Sequence, residues 1–444
     1  MQVTVEDVSS VKKTLHIEIP EDEVARELNN TYNTLKKTAK IKGFRPGKVP
    51  RSVLERMFGK NVHADVSSKL IQNSFLDAIK QANLKVVGTP QVDPPELDPK
   101  GPYKYDATVE ITPEIEDIYY QDLKLKRTNY QMSDDEVDAQ LKALQKNLAQ
   151  HQKISQERPV RQDDIVLIDY EGFKDGKPFA ETGKTENYTL KIGAGAISKD
   201  FDNQLIGMKP GDTKEINATF PEDFFNKALA NNEITFQVTL NEIRQELLPE
   251  IDDEFAKKVG QYETLDELKN VLEDNLKQGY AKRVEQELNE QIFSALISKT
   301  DFEAPDALVD MELEGIIEEA ERSFAHRNTS MKELGLSREE IAEKYRDTAL
   351  KQVKRYLILS KLIDQENLTL SDEEVENGLK EMSENFGHSL ADIKNYYGEH
   401  KDKLELFKHT LLEKKAINLI IDNSKIEEVE PEALKASEKN DQKK

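Results

Sequence analysis

The chain contains no cysteine, and this absence removes disulfide bonds, thiolate nucleophiles and thiolate metal sites. Its seven histidines show no paired ligand spacing, so we expect no metal site. The only short glycine motif, Gly193-Ala194-Gly195, is too short for a P-loop or dinucleotide loop, and we expect neither ATP use nor any cofactor. No apolar run approaches the roughly 18 residues of a membrane-spanning helix, and residues 1–6 do not begin a secretory signal. We therefore expect a cytoplasmic protein without a membrane span.

Charge is what the chain has in abundance. Of its 444 residues, 34% are charged and 37% are hydrophobic, and the formal net charge is −23. These values predict modest hydrophobic cores and extensive polar surface. At roughly 100 to 200 residues per domain, the length predicts about two to four domains.

One segment of this acidic chain is strongly basic. Residues 36–60 carry nine basic side chains against the single acid Glu55, a local charge of +8. Within this segment, Gly43-Phe44-Arg45-Pro46-Gly47-Lys48-Val49-Pro50 is rich in turn formers, so Phe44 and Arg45 are expected to project from a defined tip. A confined basic loop with an exposed Phe beside Arg favours docking to one anionic surface. The alternative is a solvated basic loop that merely joins two helices.

This octapeptide, which follows an amphipathic helix, resembles the ribosome-docking signature of the bacterial trigger factor family. The resemblance implies that the loop binds a protein of the large ribosomal subunit beside the exit tunnel, with Phe44, Arg45 and Lys48 as contacts. It also implies nascent and unfolded polypeptides as partners, and no membrane. A homodimer away from the ribosome stays open at this point. A further interpretation makes the loop an RNA contact, with Arg45 and Lys48 meeting phosphates.

The region around this loop is predicted to be α+β. Apolar and polar residues alternate at 2–7 and 12–19, which is typical of strands with one buried face. Further strands are expected at 85–92 and 103–111. Helical spacing predicts helices from Pro20 to about Ala39, at 50–58 and at 62–82.

Residues 160–246 have a different pattern, with short strands separated by turns. The predicted elements, in order, are a strand at 165–172, an Asp175-Gly176 hairpin, a strand at 188–192, a short helix at 197–205, a turn at 209–212, and strands at 213–220 and 234–243. A small antiparallel sheet around one helix resembles the FKBP-type peptidyl-prolyl isomerase fold.

The resemblance to the FKBP family implies a pocket lined by aromatic side chains. By position, the lining residues are Tyr170, Phe179, Tyr188, Ile197, Phe201, Phe224 (or its neighbour Phe225) and Phe236. Two departures from the family pattern, Ala180 in place of a frequent acid and Ser198-Lys199-Asp200 before the floor aromatic, predict weak binding of drug-like inhibitors. The alternative is that these aromatics are simply the core of a small β domain.

Aromatic residues suffice for this chemistry because no bond is broken. An X-Pro bond rotates over a barrier of about 18 to 20 kcal/mol because amide resonance is lost in the twisted state. A dry pocket that grips proline and binds the twisted amide better than the planar one lowers that barrier without a nucleophile.

The remaining sequence is predicted to be helical. Helices are expected at 265–298, from Pro305 onward, at 337–365 and at 402–421. A capping-box pattern at 133–142 returns at 371–380, which suggests that both helices belong to one discontinuous helical domain. The family resemblance implies a body with arms around a cradle for unfolded chains, whereas the pattern alone also fits a plain helix bundle.

Together these patterns predict an α+β multidomain protein. The predicted parts are an N-terminal α+β ribosome-docking domain (1–115), a linker helix of the helical body (116–159), an inserted FKBP-like antiparallel β domain with a short helix (160–246), an all-α C-terminal domain with arms (247–428) and a disordered tail (429–444). The implied function is an ATP-independent, ribosome-associated chaperone that isomerises X-Pro bonds in nascent chains. The alternative is a soluble prolyl isomerase whose helical part presents substrates, without a ribosome role.

Overall fold

The computed structural model describes residues 1–42, 44–45, 47–154, 158–221, 229–327 and 329–431. The chain divides into two compact units, which are described separately. The first unit combines Met1–Asn129 with the chain from Val284 onward, and the second is Tyr130–Arg283. Within the described ranges, no helix has the length and apolar character needed to cross a membrane.

The elements of the N-terminal region are β1 (Gln2–Asp7), β2 (Lys12–Ile19), α1 (Glu21–Thr38), α2 (Arg51–Ala82), β3 (Val86–Val92), β4 (Tyr103–Ile111) and β5 (Lys124–Thr128). The middle of the chain forms α3 (Asp134–Asn147), β6 (Gln150–Lys153), β7 (Ile165–Lys174), β8 (Lys177–Pro178), β9 (Thr185–Lys191), α4 (Lys199–Leu205), β10 (Thr213–Thr219), β11 (Glu233–Leu247) and α5 (Asp253–Val259). The C-terminal region forms α6 (Leu265–Lys299), α7 (Asp306–His326), α8 (Arg338–Gln365), α9 (Asp372–Phe386), α10 (Leu390–Glu399), α11 (Lys401–Asp422) and β12 (Lys425–Val429).

The N-terminal sheet is antiparallel, with strand order β1-β2-β4-β3, and α1 and α2 contribute to its core. The predicted strands and the helix after Pro20 are confirmed to within a residue or two. On the solvent side of the sheet, His16 bridges Asp106 at 2.7 Å and Glu6 at 3.0 Å. These hydrogen bonds, that of Asp106 foremost, raise the pKa of His16 above its ordinary value.

The prediction of two helices at 50–58 and 62–82 is wrong, because α2 is continuous from Arg51 to Ala82. Gly59 lies inside it, and a glycine within a helix costs only about 1 kcal/mol relative to alanine. The helix continues because Leu54, Val62 and Val66 keep one face buried on both sides of the glycine.

The helical part of the first unit has its own core. Residues of α6, α7, α8 and α11 pack there together with Ile118, Tyr120, Leu123 and Leu125. The expectation of an all-α region at 247–428 is wrong at its end, because β12 pairs in parallel with β5, from Lys425 opposite Lys124 to Val429 opposite Thr128. Val429 therefore belongs to a strand and not to the tail. Residues 432–444 of the predicted tail lie outside the described residues.

The two repeated capping boxes are present. In both, a serine side chain accepts from the backbone of a glutamate three residues later, whose carboxylate accepts in return: Ser133 with Glu136 on α3, and Ser371 with Glu374 on α9. The helices lie in different compact units, α3 in the second and α9 in the first. The structure thus lends no support to one discontinuous domain that holds both, and this stays a prediction.

The second unit contains the predicted small β domain. Its strands run β10-β11-β7-β8, with β9 paired to β7 and β6 paired to β11. The hairpin at Asp175-Gly176 is confirmed, because both residues have positive φ (51° and 75°) and Lys174 pairs with Lys177 across the turn. Helix α4 packs on β10, and the strands and α4 share one apolar core.

Candidate active site and basic loop

The aromatic side chains of the second unit form a chain of ring contacts. Tyr170 on β7 lies 5.4 Å from Tyr188 on β9 and 5.9 Å from Phe236 on β11, measured between ring centroids. Phe236 in turn lies 5.3 Å from Phe201 on α4. All three pairs are edge-to-face, with interplanar angles of 88°, 73° and 85°, an arrangement that aromatic pairs prefer.

These side chains form two layers that differ in burial. Phe201 and Phe236 are 0% and 1% exposed and belong to the core of the domain. Four residues are half-buried and pack against that core from outside: Tyr170, Phe179, Tyr188 and Ile197. The structure therefore brings six of the seven carried-over residues to one core. The seventh, Phe224, lies with Phe225 outside the described residues.

Local hydrogen bonds fix the backbone at two of these residues, Phe179 and Phe201. The N–H of Phe179 donates to the Gly172 carbonyl at 2.9 Å. A Cβ on Gly172 would fall 2.0 Å from Oγ1 of Thr182, so only glycine fits beside this turn. Ser198, one of the departures from the family pattern, caps α4 because its hydroxyl accepts from the N–H of Phe201 at 3.1 Å.

Sequence reasoning missed two side chains of this core. Phe220 is 1% exposed and its ring lies 6.5 Å from that of Phe236. Asp202 is fully buried, and its Oδ2 accepts from the N–H groups of Gly193 at 2.9 Å and Gly195 at 2.8 Å. The backbone N–H groups of the Gly193-Ala194-Gly195 loop therefore bind the Asp202 carboxylate.

An ion pair ties the start of the domain to β7. Both guanidinium nitrogens of Arg158 donate to Asp164, at 2.5 and 2.7 Å, and the Arg161 N–H donates at 2.8 Å. Burial opposes ionisation of Asp164, but these hydrogen bonds outweigh it and hold the pKa of the carboxyl below its ordinary value.

The basic loop is anchored at its base and exposed at its tip. The N–H of Gly47, whose φ is +81°, donates to the Lys36 carbonyl at 2.9 Å, and Val49 is completely buried. Phe44, with 40% of its surface exposed, lies with Arg45 and Lys48 on the solvent side. Gly43 and Pro46 lie outside the described residues.

The only acid of the basic segment is engaged locally. Glu55 accepts from Arg51 at 2.6 Å on the same face of α2, and the Arg51 guanidinium lies 4.6 Å from the Tyr32 ring centroid. Arg45 and Lys48 lie on the loop, apart from this pair on α2. The positive charge of the loop tip is therefore not offset by the acid of its own segment.

An α+β N-terminal region, a helical region and an inserted β domain with an aromatic core define a multidomain protein that carries an FKBP-type isomerase domain. A family model described as "FKBP-type peptidyl-prolyl cis-trans isomerase" matches residues 156–241. Models described as "Bacterial trigger factor protein (TF)" and "Bacterial trigger factor protein (TF) C-terminus" match residues 1–144 and 264–422. The chain belongs to the bacterial trigger factor family.

Individual relatives agree along the whole chain. The chain is 46% identical to the trigger factor of Desulfosudis oleivorans, over 100% of both sequences. It is 45% identical to the trigger factor of Desulfatibacillum aliphaticivorans, over 99% of this chain and 100% of that one. A solved structure described as "Promiscuous Substrate Recognition in Folding and Assembly Activities of the Trigger Factor Chaperone" shares the fold, with a TM-score of 0.50 at 22% identity, over 95% of this chain and 99% of that one.

Family membership confirms the function predicted from the sequence. The protein is a chaperone with peptidyl-prolyl cis-trans isomerase activity, and the family implies binding to the ribosome and to nascent chains.

Proposed function

We propose that the protein docks on the large ribosomal subunit through Phe44, Arg45 and Lys48. The observation that carries this proposal is the exposure of all three side chains on a loop whose base is fixed by the Gly47 hydrogen bond and by buried Val49. Anchoring the base lowers the entropy lost when the tip is ordered on a partner. The aromatic ring supplies apolar contact area, and the two cations supply charge complementarity to a ribosome surface.

Co-sedimentation with isolated large ribosomal subunits tests the docking proposal. The test variant is Phe44→Ala, Arg45→Ala, Lys48→Ala. The matched control is Arg56→Ala, Met57→Ala, Lys60→Ala, which removes one exposed apolar side chain and two cations from α2 in the same basic segment. We expect the control to pellet with the subunits like the wild type and the loop variant to stay in the supernatant.

Three results would contradict the proposal. If both variants pellet like the wild type, docking lies elsewhere, and if both lose binding equally, net charge and not the loop is responsible. If the wild type does not pellet, the protein acts as a soluble isomerase. Contact with RNA instead of protein predicts a steep salt dependence and little effect of Phe44→Ala alone.

We propose further that X-Pro bonds isomerise over the half-buried layer formed by Tyr170, Phe179, Tyr188 and Ile197, with Phe201 and Phe236 as the floor. Phe224, the seventh residue carried over by position, stays part of the proposal but lies outside the described residues. The proline ring would pack on these rings, away from water, where loss of amide resonance is easier to compensate. The phenol hydroxyls of Tyr170 and Tyr188 are able to donate to the substrate carbonyl. No metal or cofactor is needed.

A conservative replacement tests this assignment. Tyr170→Leu keeps an apolar side chain but removes both ring contacts and the hydroxyl. We expect kcat/KM for a proline peptide to fall about tenfold or more, which corresponds to about 1.4 kcal/mol of lost transition-state binding. Tyr119→Ala, which removes a 62% exposed aromatic of the first unit, is the control and should be silent. Unchanged activity of Tyr170→Leu would contradict the pocket assignment.

The domain limits are proposed as 1–115, 116–159, 160–246 and 247–428, with Val429 added to the last of these because it ends β12, and with the tail beginning after it. We also propose a cytoplasmic location.

A homodimer away from the ribosome is proposed because the helical region exposes Phe386, Tyr396 and Leu406, whose burial against a second copy would remove apolar surface from water. Sedimentation velocity across a range of concentrations tests the dimer, and a monomer at every concentration would contradict it.

A further inference from the structure

One carboxylate holds the loop between β9 and α4 in place. Asp202 is completely buried, and its Oδ2 accepts from the N–H of Gly193 and from the N–H of Gly195. Its other oxygen, Oδ1, is buried and has no hydrogen-bond partner within the described ranges. Two backbone N–H groups therefore converge on one acceptor oxygen here.

The backbone of the loop is shaped for this contact. Gly193 and Gly195 have φ of +93° and +70°, in the region that side chains disfavour. A Cβ on Gly193 would also fall 1.8 Å from Nε2 of Gln162. The preceding residue, Ile192, is already fixed, because its N–H donates to the Asp164 carbonyl at 2.9 Å.

The contact links two residues of the proposed pocket. Asp202 follows Phe201, the floor aromatic, directly on α4. The loop that it holds leads, two residues after Gly195, to the half-buried Ile197. A contact outside the aromatic lining therefore joins the loop that leads to Ile197 with the helix that carries Phe201.

We propose that Asp202 is a positioning residue for prolyl isomerisation, which fixes Ile197 relative to Phe201. The proposal rests on the pocket assignment made above. A looser Ile197 would still contact a bound proline but would discriminate less between the planar and the twisted amide. The expected effect lies in kcat more than in KM.

The experiment compares four variants of the full chain. Asp202→Ala removes the acceptor of both amides. Asp202→Asn keeps an oxygen acceptor and is the conservative rescue. Gln204→Ala removes the side-chain hydrogen bond that α4 donates to the Asn217 carbonyl of β10 at 2.8 Å, so it weakens the packing of the same helix without touching the loop. Gly195→Ala strains the loop from the other side, because its φ is +70° and the new methyl group meets Cγ of Lys199 at 3.3 Å.

Three readouts separate positioning from mere stability: kcat and KM for a proline peptide by protease-free NMR exchange, the thermal midpoint, and amide hydrogen exchange of peptides that cover residues 191–198. We expect Asp202→Ala to lower kcat about tenfold and to speed exchange in this loop. Asp202→Asn should stay within about threefold of the wild type, and Gln204→Ala should lower the thermal midpoint but keep kcat within about twofold. If Asp202→Ala does not fold, Gly195→Ala should show the same loss of kcat and the same faster exchange.

The proposal is overturned if Asp202→Ala, or Gly195→Ala in its place, retains as much kcat as Gln204→Ala. It is also overturned if Asp202→Asn is as impaired as Asp202→Ala, since the charge and not the acceptor would then matter. The Tyr170→Leu variant keeps the two failures apart. If Tyr170→Leu loses activity and Asp202→Ala does not, the pocket stands and only the positioning role fails. If Tyr170→Leu is fully active, the pocket assignment itself fails.

Discussion

Replacing Asp164 by Asn should weaken the isomerase domain more than any change on its surface. Asp164 is 7% exposed, and its carboxylate accepts three hydrogen bonds, two from Arg158 and one from the N–H of Arg161. Asparagine has nearly the same shape but only one oxygen acceptor, and its amide group would face the guanidinium. The Arg158 side chain would then keep its charge without a matching partner.

The expected cost follows from what remains after the change. A hydrogen bond to a charged group contributes about 1.5 to 3 kcal/mol, and breaking a buried ion pair from one side costs about 3 to 5 kcal/mol. The Arg158 side chain is 22% exposed and can regain water, and the new asparagine oxygen can still accept from the Arg161 N–H. We therefore expect a loss of about 2 to 3 kcal/mol at neutral pH.

The loss should depend on pH with a definite sign. The pKa of Asp164 is lowered in the folded state, so its contribution is present above the pKa of an unfolded aspartate, about 3.9. The contribution disappears as the pH falls through the lower folded pKa. Wild type and variant should thus differ at pH 7 and converge in acid.

Amide hydrogen exchange of peptides from β7 reads this domain alone, which is needed because a chain of two compact units need not unfold in one step. The expected loss corresponds to roughly 30- to 150-fold faster exchange at pH 7 if exchange requires opening of the domain. Asp163→Asn is the matched control, because it removes the same charge from the exposed neighbouring residue. If Asp164→Asn exchanges no faster than Asp163→Asn, or if the gap is undiminished in acid, the reasoning is refuted.

Three further predictions concern the first unit. Gly88→Ala should lower the free energy of unfolding by about 1 to 3 kcal/mol, because Gly88 has φ of +70° and the new methyl group would lie 2.5 Å from Cβ of Ala307. Adding Ala307→Gly should restore part of this loss, and a double variant no more stable than Gly88→Ala would contradict the clash. His16→Gln should destabilise β1 below about pH 6.5, and the stability difference from the wild type should vanish as the pH rises through the raised folded pKa of His16. Equal hydrogen exchange of the β1 amides in wild type and variant at pH 6 would contradict this prediction. Ser371→Ala should weaken the start of α9 by about 1 kcal/mol, seen as faster amide exchange at residues 372–376, and unchanged exchange there would contradict the cap assignment.

Short-range patterns in the sequence predicted most elements because their causes are local. The capping boxes at Ser133 and Ser371 are each complete within four residues, and the Asp175-Gly176 turn needs only two residues that tolerate positive φ. Helix α2 shows the limit of this reasoning. Gly59 is a weak local signal against helix, and burial along the helix face, which depends on tertiary packing, overrides it.

Long-range contacts could not be predicted from such patterns. Five-residue segments such as Lys124–Thr128 are too short and too polar to reveal a partner strand at the far end of the chain. The pocket residues were assigned by their positions in a family pattern. The structure brings the six described ones to one core, and this does not test their role. Asp202 and Phe220 escaped notice because their contacts are made only in the folded domain: α4 brings Asp202 to the loop after β9, and β11 brings Phe236 beside Phe220.

The parallel pairing of β5 with β12 sets the order in which this protein can finish folding. Four residues, Ile118, Tyr120, Leu123 and Leu125, are made in the first third of the chain, yet they are buried with residues of α11, and Leu125 lies on the strand that pairs with β12. During synthesis they must wait, with their apolar side chains unpaired, until almost every later residue has left the ribosome. While this chaperone is itself being synthesised, its segment around Leu123 therefore exposes apolar side chains in the same way as the unfolded chains that it binds.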